Sequence, residues 1–164
     1  MDVTLDPIPR AGAPVLGRLF ELYAHDFSEF VPLPLKPTGL FDVAPGDIWW
    51  THADHHPLYI HAGGALAGFA LARRGSRTTG AADVMDVAEF FVVRGARRHG
   101  VGLQAAHALF GRFPGPWEVR VRQKNAPARG FWTRAVGAFT RAPAVPEAVT
   151  SGGAEWDVFR FVSA

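Results

Sequence analysis

Residues 87–93 read Val-Ala-Glu-Phe-Phe-Val-Val, and residues 94–102 continue Arg-Gly-Ala-Arg-Arg-His-Gly-Val-Gly. The first segment is short and rich in β-branched and aromatic residues, which favours a buried strand. The second is rich in glycine, which permits tight turns, and apolar residues at helical spacing follow over 101–110. This order would gather the unpaired N–H groups of the first helical turn in one concavity, where the helix dipole adds positive charge. Taken alone, the pattern fits either a phosphate-binding turn or an ordinary turn between the strand and the helix, since it is neither a dinucleotide fingerprint nor a P-loop.

Charge is concentrated around this turn. Residues 94–134 contain nine basic residues and one acidic residue, Glu118, which gives +8, whereas the rest of the chain has eight basic and fourteen acidic residues, or −6. Such asymmetry favours an anionic partner: a phosphorylated cofactor or a nucleic acid. The alternative is that Arg112, Arg120 and Arg134 belong to a solvated surface.

Length and composition limit the classes that need consideration. The chain has 164 residues, 48% of them apolar and 20% charged, which is typical of one globular domain spanning 1–164. It has no cysteine, so disulfides, thiolate zinc sites and a cysteine nucleophile are excluded. No apolar run approaches ~18 residues and the first residues lack the pattern of a secretory signal, so we expect a cytoplasmic protein without membrane contact.

Helical and extended patterns alternate along the rest of the chain. The expected elements are a helix at 13–25, a hairpin across Gly63-Gly64, a strand at 117–122, a helix at 126–137 and a closing strand at 155–162. In the 117–122 strand, Trp117, Val119 and Val121 alternate with charged residues, which predicts one apolar and one charged side. Residues 31–57 are rich in proline and glycine, and a loop of this length is often functional. The class is α/β (α+β), in a single domain.

Three motifs in this order carry a family resemblance. Arg97-x-x-Gly100-x-Gly102, after the strand Glu89–Val93, resembles the acyl-CoA signature of the GNAT N-acetyltransferase superfamily. Asn125-x-x-Ala128-x-x-Phe131-Trp132 is similar to the Asn-x-x-Ala helix of that family, and the glycine hairpin with Gly68-Phe69 resembles its second and third strands. Tyr23-x-x-Asp26-Phe27-Ser28 is similar to a segment of a bacterial subgroup of predicted acetyltransferases. The resemblance extends over nearly the whole chain.

The resemblance implies a mixed sheet, splayed at its central strands and flanked by helices, that holds acetyl-CoA between the fourth and fifth strands. The backbone of Phe91, Val92 and Val93 would pair with the pantetheine amides, and one of these N–H groups would polarise the thioester carbonyl. The turn would hold the pyrophosphate, with a helix packed beside the pantetheine. The residues implied for the cofactor besides that strand are Arg97, Arg98, His99, Gly100, Val101, Gly102, Leu103, Asn125, Arg129 and Trp132.

Glu89 is the candidate catalytic base. Alternation places it on one face of the strand with Val87 and Phe91, where burial would raise its pKa towards a useful value. The alternatives are that Glu89 pairs with a nearby arginine, or that a water chain removes the proton. Relatives often protonate the leaving thiolate with a tyrosine on the helix after the fifth strand. That region here reads Phe131-Trp132-Thr133, so the thiolate leaves unassisted, Thr133 or water helps, or the chain is weakly active or inactive.

The candidate acceptor site combines acidic and aromatic side chains that suit a cationic amine: Tyr23, Asp26, Glu29, Trp49 and Trp50. Asp26-Phe27-Ser28-Glu29 also fits a capping box that opens a second short helix, which would give both carboxylates a structural role.

Several histidines lie close together, but their spacing fits no zinc signature, so we expect no metal. The resemblance therefore implies an enzyme that moves an acetyl group from acetyl-CoA to a primary amine of a small molecule or peptide by direct attack. The first alternative is an acyl-CoA-binding module with weak or no turnover. Nucleic-acid binding is disfavoured because the aromatic residues do not interleave with the basic ones. A homodimer is the default assembly.

Overall fold

The computed structural model describes all 164 residues. They form seven strands and four α-helices joined by turns and loops. In chain order these are β1 (Val3–Pro7), α1 (Ala13–Phe27), α2 (Ile48–Thr51), β2 (His55–Ala62), β3 (Ala65–Arg74), β4 (Met85–Val92), α3 (Val101–Arg112), β5 (Gly115–Arg122), α4 (Ala126–Thr140), β6 (Glu147–Ser151) and β7 (Ala154–Ser163). The strands form one sheet in the order β1-β2-β3-β4-β5-β7-β6. Only β4 and β5 are parallel, so the predicted mixed sheet with flanking helices in a single domain is confirmed.

The central strands β4 and β5 separate after a short paired segment. They are in register only from Met85 to Val87, opposite Trp117 to Val119. β4 nevertheless stays paired with β3 up to Val92, and β5 stays paired with β7 up to Arg122. The sheet therefore opens between the second half of β4 and the end of β5.

An extra residue in β4 sets which side chains face which side of the sheet. Leu71 of β3 pairs with Glu89, but the next residue, Ala72, pairs with Val87, so Ala88 has no partner. Such a bulge reverses the alternation beyond it. Val87 consequently packs in the core beneath α3 and α4, while Glu89 contacts α1. The prediction that Glu89 shares a face with Val87 is wrong, because strict alternation does not survive the bulge.

The two faces of the sheet are covered differently. Helices α3 and α4 pack on one face around the larger core, which contains Trp117, Val119 and Val121 of β5. Helix α1 and Trp49 pack on the other face around a smaller core formed with β3 and β4. No residue of β5, β6 or β7 belongs to that smaller core. On the α1 side, this half of the sheet can therefore carry charged side chains.

The start of each element depends on its local sequence. Gly100, with φ +76°, precedes α3, and the Asn125 side chain accepts a hydrogen bond from the Ala128 N–H at the start of α4. Helix α1 continues to Phe27 and no helix opens at Asp26, so the capping-box interpretation is wrong. The Asp26 carboxylate instead accepts hydrogen bonds from arginines beyond β4. The proline- and glycine-rich stretch also contains α2 and the first residues of β2.

Gly68 is required where β3 meets the end of β4. A Cβ atom at this position would lie 1.9 Å from the carbonyl oxygen of Phe91, which belongs to rigid sheet backbone. We expect Gly68→Ala to lower the free energy of unfolding by about 2–3 kcal/mol or to prevent folding. Gly17→Ala is the control, because nothing lies within 4 Å of that position and alanine stabilises a helix interior by about 0.5–1 kcal/mol. Urea unfolding measures both, and equal stability of the two variants would contradict the close approach.

Candidate active site

Two clefts meet where the sheet opens. The larger, about 1400 Å³, lies between the end of β4, the turn after it and α4. The smaller, about 580 Å³, lies between α1, α2 and the charged side of β4 and β5. The side chains that line both clefts mark the passage between them: Tyr23, Phe27, Phe90, Asn125, Ala128 and Trp132. A molecule in one cleft can therefore reach a molecule in the other.

The turn after β4 forms one end of the larger cleft. Arg98, Gly100, Gly102 and Leu103 line it, and Arg98 makes no ion pair. Helix α3 begins directly behind this lining and has no acidic residue in its first turn, so its N-terminal positive charge is unopposed. A Cβ atom at Gly102 would lie 3.1 Å from the Phe131 ring, so glycine here lets α3 approach α4. This end of the cleft suits an anion such as a phosphate.

The exposed edge of β4 borders the same cleft. The Val93 N–H donates to the carbonyl of Ala67 on β3. Because hydrogen bonding alternates along an antiparallel pair, the N–H groups of Phe90 and Val92 point away from β3, towards the opening. The Val92 carbonyl accepts a 2.7 Å hydrogen bond from Arg97 Nε. The prediction that Phe91, Val92 and Val93 all pair with pantetheine is thus too broad, because the N–H groups of Phe91 and Val93 face β3.

An ion-pair cluster ties the end of α1 to the turn after β4. Asp26 Oδ1 lies 2.8 Å from Arg94 Nη2, and Asp26 Oδ2 lies 2.5 Å from Arg97 Nη2. Burial raises the pKa of Asp26, but hydrogen bonds from Arg97 and Arg94 outweigh it and lower the pKa overall. The predicted role of Asp26 in gripping a cationic acceptor does not fit this geometry, because two guanidinium groups of the chain already neutralise its carboxylate.

Glu89 and Tyr23 form a hydrogen-bonded pair at the passage between the clefts. The Tyr23 hydroxyl donates to Glu89 Oε2 over 2.5 Å. Burial raises the pKa of Glu89, and the Tyr23 hydrogen bond and the charges of Arg73 and Arg120 offset this only in part. Burial and the charge of Glu89 raise the pKa of Tyr23 well above 10. The hydrogen-bond partner of Glu89 is therefore a tyrosine, and the alternative of a direct ion pair with an arginine is not found.

The charged side of β5 is largely withdrawn from solvent at Glu118 and Arg120. Asp86 is fully buried and accepts from Arg73 Nε at 3.1 Å and from Arg120 Nε and Nη2 at 3.1 and 3.2 Å. The Arg120 side chain is only 14% exposed, so the solvated-surface interpretation of this residue is wrong. Glu118 is 1% exposed and accepts hydrogen bonds from Ser76 and Thr78. Sequence reasoning missed Asp86 and Arg73, although a charged residue at the start of a strongly apolar strand was a signal.

A family model places the chain in a known family. The model described as the acetyltransferase (GNAT) family matches residues 16–138, which include most of α1, the turn after β4 and most of α4. This chain belongs to the GNAT acetyltransferase family. No curated protein sequence matches it.

Solved structures show the same fold across the whole length of this GNAT protein. An acetyltransferase from Thermus thermophilus superposes with a TM-score of 0.71 at 17% identity, covering 99% of this chain and 97% of that one. The paia N-acetyltransferase from Thermoplasma acidophilum, in complex with coenzyme A, gives 0.66 at 9% identity and covers 99% of both chains. Aminoglycoside acetyltransferase AAC(6')-Ib, in complex with coenzyme A and kanamycin, gives 0.66 at 13% identity, covering 98% and 95%. The predicted GNAT resemblance is confirmed at the level of family and fold.

The structure separates the residues predicted for the acceptor. Tyr23 and Trp49 line the smaller cleft, whereas Asp26 and Glu29 line only the larger one. Trp50 lines neither cleft, and its indole N–H donates to the carbonyl of Ile8. Consecutive residues of a helix point about 100° apart, so the short helix α2 directs Trp49 inward and Trp50 elsewhere.

The residues predicted for the cofactor are also divided. Arg97, Asn125 and Trp132 line the larger cleft, but Arg129 faces β7 and lies 3.3 Å from Asp157. The structure places His99 outside the cleft lining and buries Val101 in the core. No group of three histidine, aspartate or glutamate side chains is arranged to hold a metal ion. None of the helices has the length and apolar character that crossing a membrane requires.

The raised pKa of Glu89 predicts a specific dependence of stability on pH. The folded state favours the protonated carboxyl of Glu89. The contribution of this group to the free energy of unfolding is therefore complete below its ordinary pKa of 4.5 and is lost as the pH rises through its raised pKa in the folded protein. We expect Glu89→Gln to match the parent at pH 4 and to become the more stable protein as the pH rises above 4.5.

Urea unfolding between pH 4 and 8 measures this difference. Glu29→Gln is the control for the loss of one carboxylate, because Glu29 is exposed and its side chain makes no hydrogen bond. A free-energy difference between Glu89→Gln and the parent that stays constant over the range would show that Glu89 is not destabilised by burial.

Proposed function

We propose that this GNAT protein transfers the acetyl group of acetyl-CoA to a primary amine bound in the smaller cleft. The observation that carries the proposal is the Glu89–Tyr23 pair at the passage between the clefts. A thioester reaching this passage from the larger cleft would meet an amine beside Glu89. Holding both reactants together permits direct attack without an acyl-enzyme.

The larger cleft fits coenzyme A in three respects. The Arg98 guanidinium and the N-terminus of α3 offer positive charge to the pyrophosphate. The outward N–H of Val92 offers a donor to a pantetheine amide, and that of Phe90 lies nearer the passage, where it could bind the developing negative charge of the thioester oxygen. Phe131 and Trp132 supply an apolar wall along α4. The coenzyme A present in two of the similar structures supports this assignment.

Glu89 and Tyr23 can handle the protons of the reaction. The bound ammonium loses its first proton to solvent through Glu89. As the amine nitrogen attacks the carbonyl carbon and the carbon–sulfur bond breaks, Glu89 takes the second proton and Tyr23 gives its phenolic proton to the departing sulfur. Glu89 returns a proton to Tyr23 in the same process, so no phenolate accumulates despite the raised pKa of Tyr23. Tyr23 would thus take the role for which α4 offers no tyrosine.

The alternative is an acyl-CoA-binding protein with little or no turnover. It is favoured by the absence of tyrosine from α4, where Phe131, Trp132 and Thr133 occupy the relevant turn. The two functions separate in one experiment that follows thiol release from acetyl-CoA over a panel of amines, polyamines, amino acids and peptides. Tight binding of acetyl-CoA by calorimetry without thiol release from any amine would favour the binding protein.

The two tyrosines of the chain provide a matched test of the acid. We expect Tyr23→Phe to lower kcat at least tenfold, because it removes the only phenol at the passage, and Glu89→Gln to lower kcat by about 10²–10⁴. Tyr59→Phe should leave kcat unchanged, since the Tyr59 hydroxyl donates to the carbonyl of Gly12, away from both clefts. Steady-state kinetics with a saturating amine measures all three. If both tyrosine variants keep full activity, Tyr23 is not the acid.

The assignment of the larger cleft to coenzyme A predicts that substitution of Arg98 changes the KM for acetyl-CoA but not the KM for the acceptor. Arg98→Gln removes a guanidinium that lines the larger cleft and makes no ion pair. We expect the KM for acetyl-CoA to rise about tenfold to hundredfold, the usual range for a charge-assisted hydrogen bond, with the acceptor KM unchanged. Arg18→Gln, on the exposed face of α1, is the control and should change neither constant. An unaltered KM for acetyl-CoA in Arg98→Gln would place the pyrophosphate elsewhere.

A further inference from the structure

The smaller cleft carries more positive charge than an amine-binding site needs. Arg73, Arg120 and Arg122 line it, and Glu89 is the only acidic residue in its lining. The remaining walls are mostly apolar, and they include several aromatic rings: Phe20, Tyr23, Phe27, Trp49, Phe90, Trp132 and Trp156. A guanidinium at an apolar wall attracts an anion more strongly than one in water does.

Buried carboxylates form ion pairs with two of these arginines, Arg73 and Arg120. Asp86 binds Arg73 through Nε and Arg120 through Nε and Nη2. Glu118 Oε1 lies 3.8 Å from Arg120 Nε, but the Glu118 carboxylate accepts its hydrogen bonds from the Ser76 and Thr78 hydroxyls and from the backbone N–H of residue 77. Both Nη groups of Arg73 and the Nη1 group of Arg120 make no hydrogen bond within the protein. The two residues are held in place yet still present donors.

Arg122 is the one arginine of the smaller cleft that has no carboxylate partner. Its side chain makes no ion pair and no hydrogen bond, and its guanidinium lies 4.7 Å from the centre of the Trp156 ring. The Arg120 guanidinium lies 5.0 Å from the same ring, so Trp156 positions both arginines. Strand register places Arg122 directly opposite Trp156, in the half of the sheet to which the smaller core under α1 does not extend. The cleft therefore contains an oriented cation without a partner.

We propose, on the basis of the function proposed above, that the acceptor is a small primary amine that also carries an anionic group and an apolar portion. Its amine lies beside Glu89, its anion contacts Arg122 together with the free donors of Arg73 and Arg120, and its apolar portion packs on Trp49 and the other aromatic side chains. Free amino acids with large apolar side chains have this chemistry. A polyamine would place further positive charge against the arginines.

This assignment replaces the expectation of a cationic acceptor held by carboxylates. Asp26 and Glu29 border the other cleft, and Asp26 is neutralised by Arg94 and Arg97. Glu89 alone faces the amine. A volume of about 580 Å³ is in the usual range for a small-molecule site.

Three matched acceptors test the requirement for an anion: L-phenylalanine, L-phenylalaninamide and phenethylamine. They share the amine and the ring, and only the first carries a carboxylate. We expect kcat/KM for L-phenylalanine to exceed both others at least tenfold. The amide has the less basic amine, so an advantage of L-phenylalanine over it does not come from a larger fraction of unprotonated, nucleophilic amine. The phosphonic acid analogue of phenylalanine, as a fourth probe, shows whether a carboxylate in particular is required.

Substitution of Arg122 tests the residue. We expect Arg122→Gln to raise the KM for L-phenylalanine about tenfold to hundredfold, to leave the KM for phenethylamine and for acetyl-CoA unchanged, and to keep kcat within a few-fold. Arg122→Lys should recover part of the loss, since it restores the charge but not the planar fork. Arg18→Gln, outside both clefts, should behave as the parent.

Direct binding keeps this inference separate from the proposed function. Calorimetry with L-phenylalanine and phenethylamine, on protein saturated with coenzyme A, needs no turnover. Preferential binding of L-phenylalanine that is lost in Arg122→Gln supports the anion site even if no thiol is released, in which case the proposed enzyme activity fails alone. Binding of phenethylamine or of spermidine, measured in the same way, that equals or exceeds that of L-phenylalanine overturns the inference. An equal effect of Arg122→Gln on the binding of L-phenylalanine and of phenethylamine also overturns it. Thiol release with those amines would still leave the proposed function intact.

Discussion

The whole site depends on β4 remaining paired with β3 while it departs from β5. Pairing between β4 and β5 ends at Val87, and the unpaired Ala88 reverses the alternation in the next residues. The separation exposes the outward N–H groups of Phe90 and Val92, and the reversal turns Glu89 towards α1. The separation thus opens the passage, and the bulge directs a titratable group towards it. Gly68 permits it, because the neighbouring strand must approach the backbone of Phe91 closely.

The basic residues of the segment 94–134 line both clefts and not the larger one alone. The positive segment that follows β4 serves the larger cleft through Arg98 and the N-terminus of α3, but its Arg120 and Arg122 extend along β5 into the smaller cleft. Guanidinium groups consequently line both clefts. A cofactor with several phosphates suits the first, and an acceptor with one anionic group suits the second. Asp86 keeps this concentration of guanidinium groups compatible with burial.

Helix α1 contributes residues to both clefts. Its Tyr23 binds Glu89 at the passage, and its Asp26, one turn further along, binds Arg94 and Arg97 of the turn after β4. A carboxylate there orients Arg97, which also donates to the Val92 carbonyl at the edge of β4. The tyrosine and aspartate that sequence reasoning assigned to the acceptor are therefore three residues apart on one face of a helix, and they act on different parts of the site.

The sequence by itself determined the family, the order of the longer helices and strands and the glycine turn, because these follow from local motifs and from periodic patterns; it did not predict the short elements β1, α2 and β6. It could not determine the direction of Glu89, since a bulge is a property of two paired strands and leaves no trace in the alternation of one. Nor could it separate Arg129, which pairs with Asp157, from Arg122, which pairs with nothing. Whether a charged side chain is matched depends on what the neighbouring strands bring to it, and only the tertiary structure decides that.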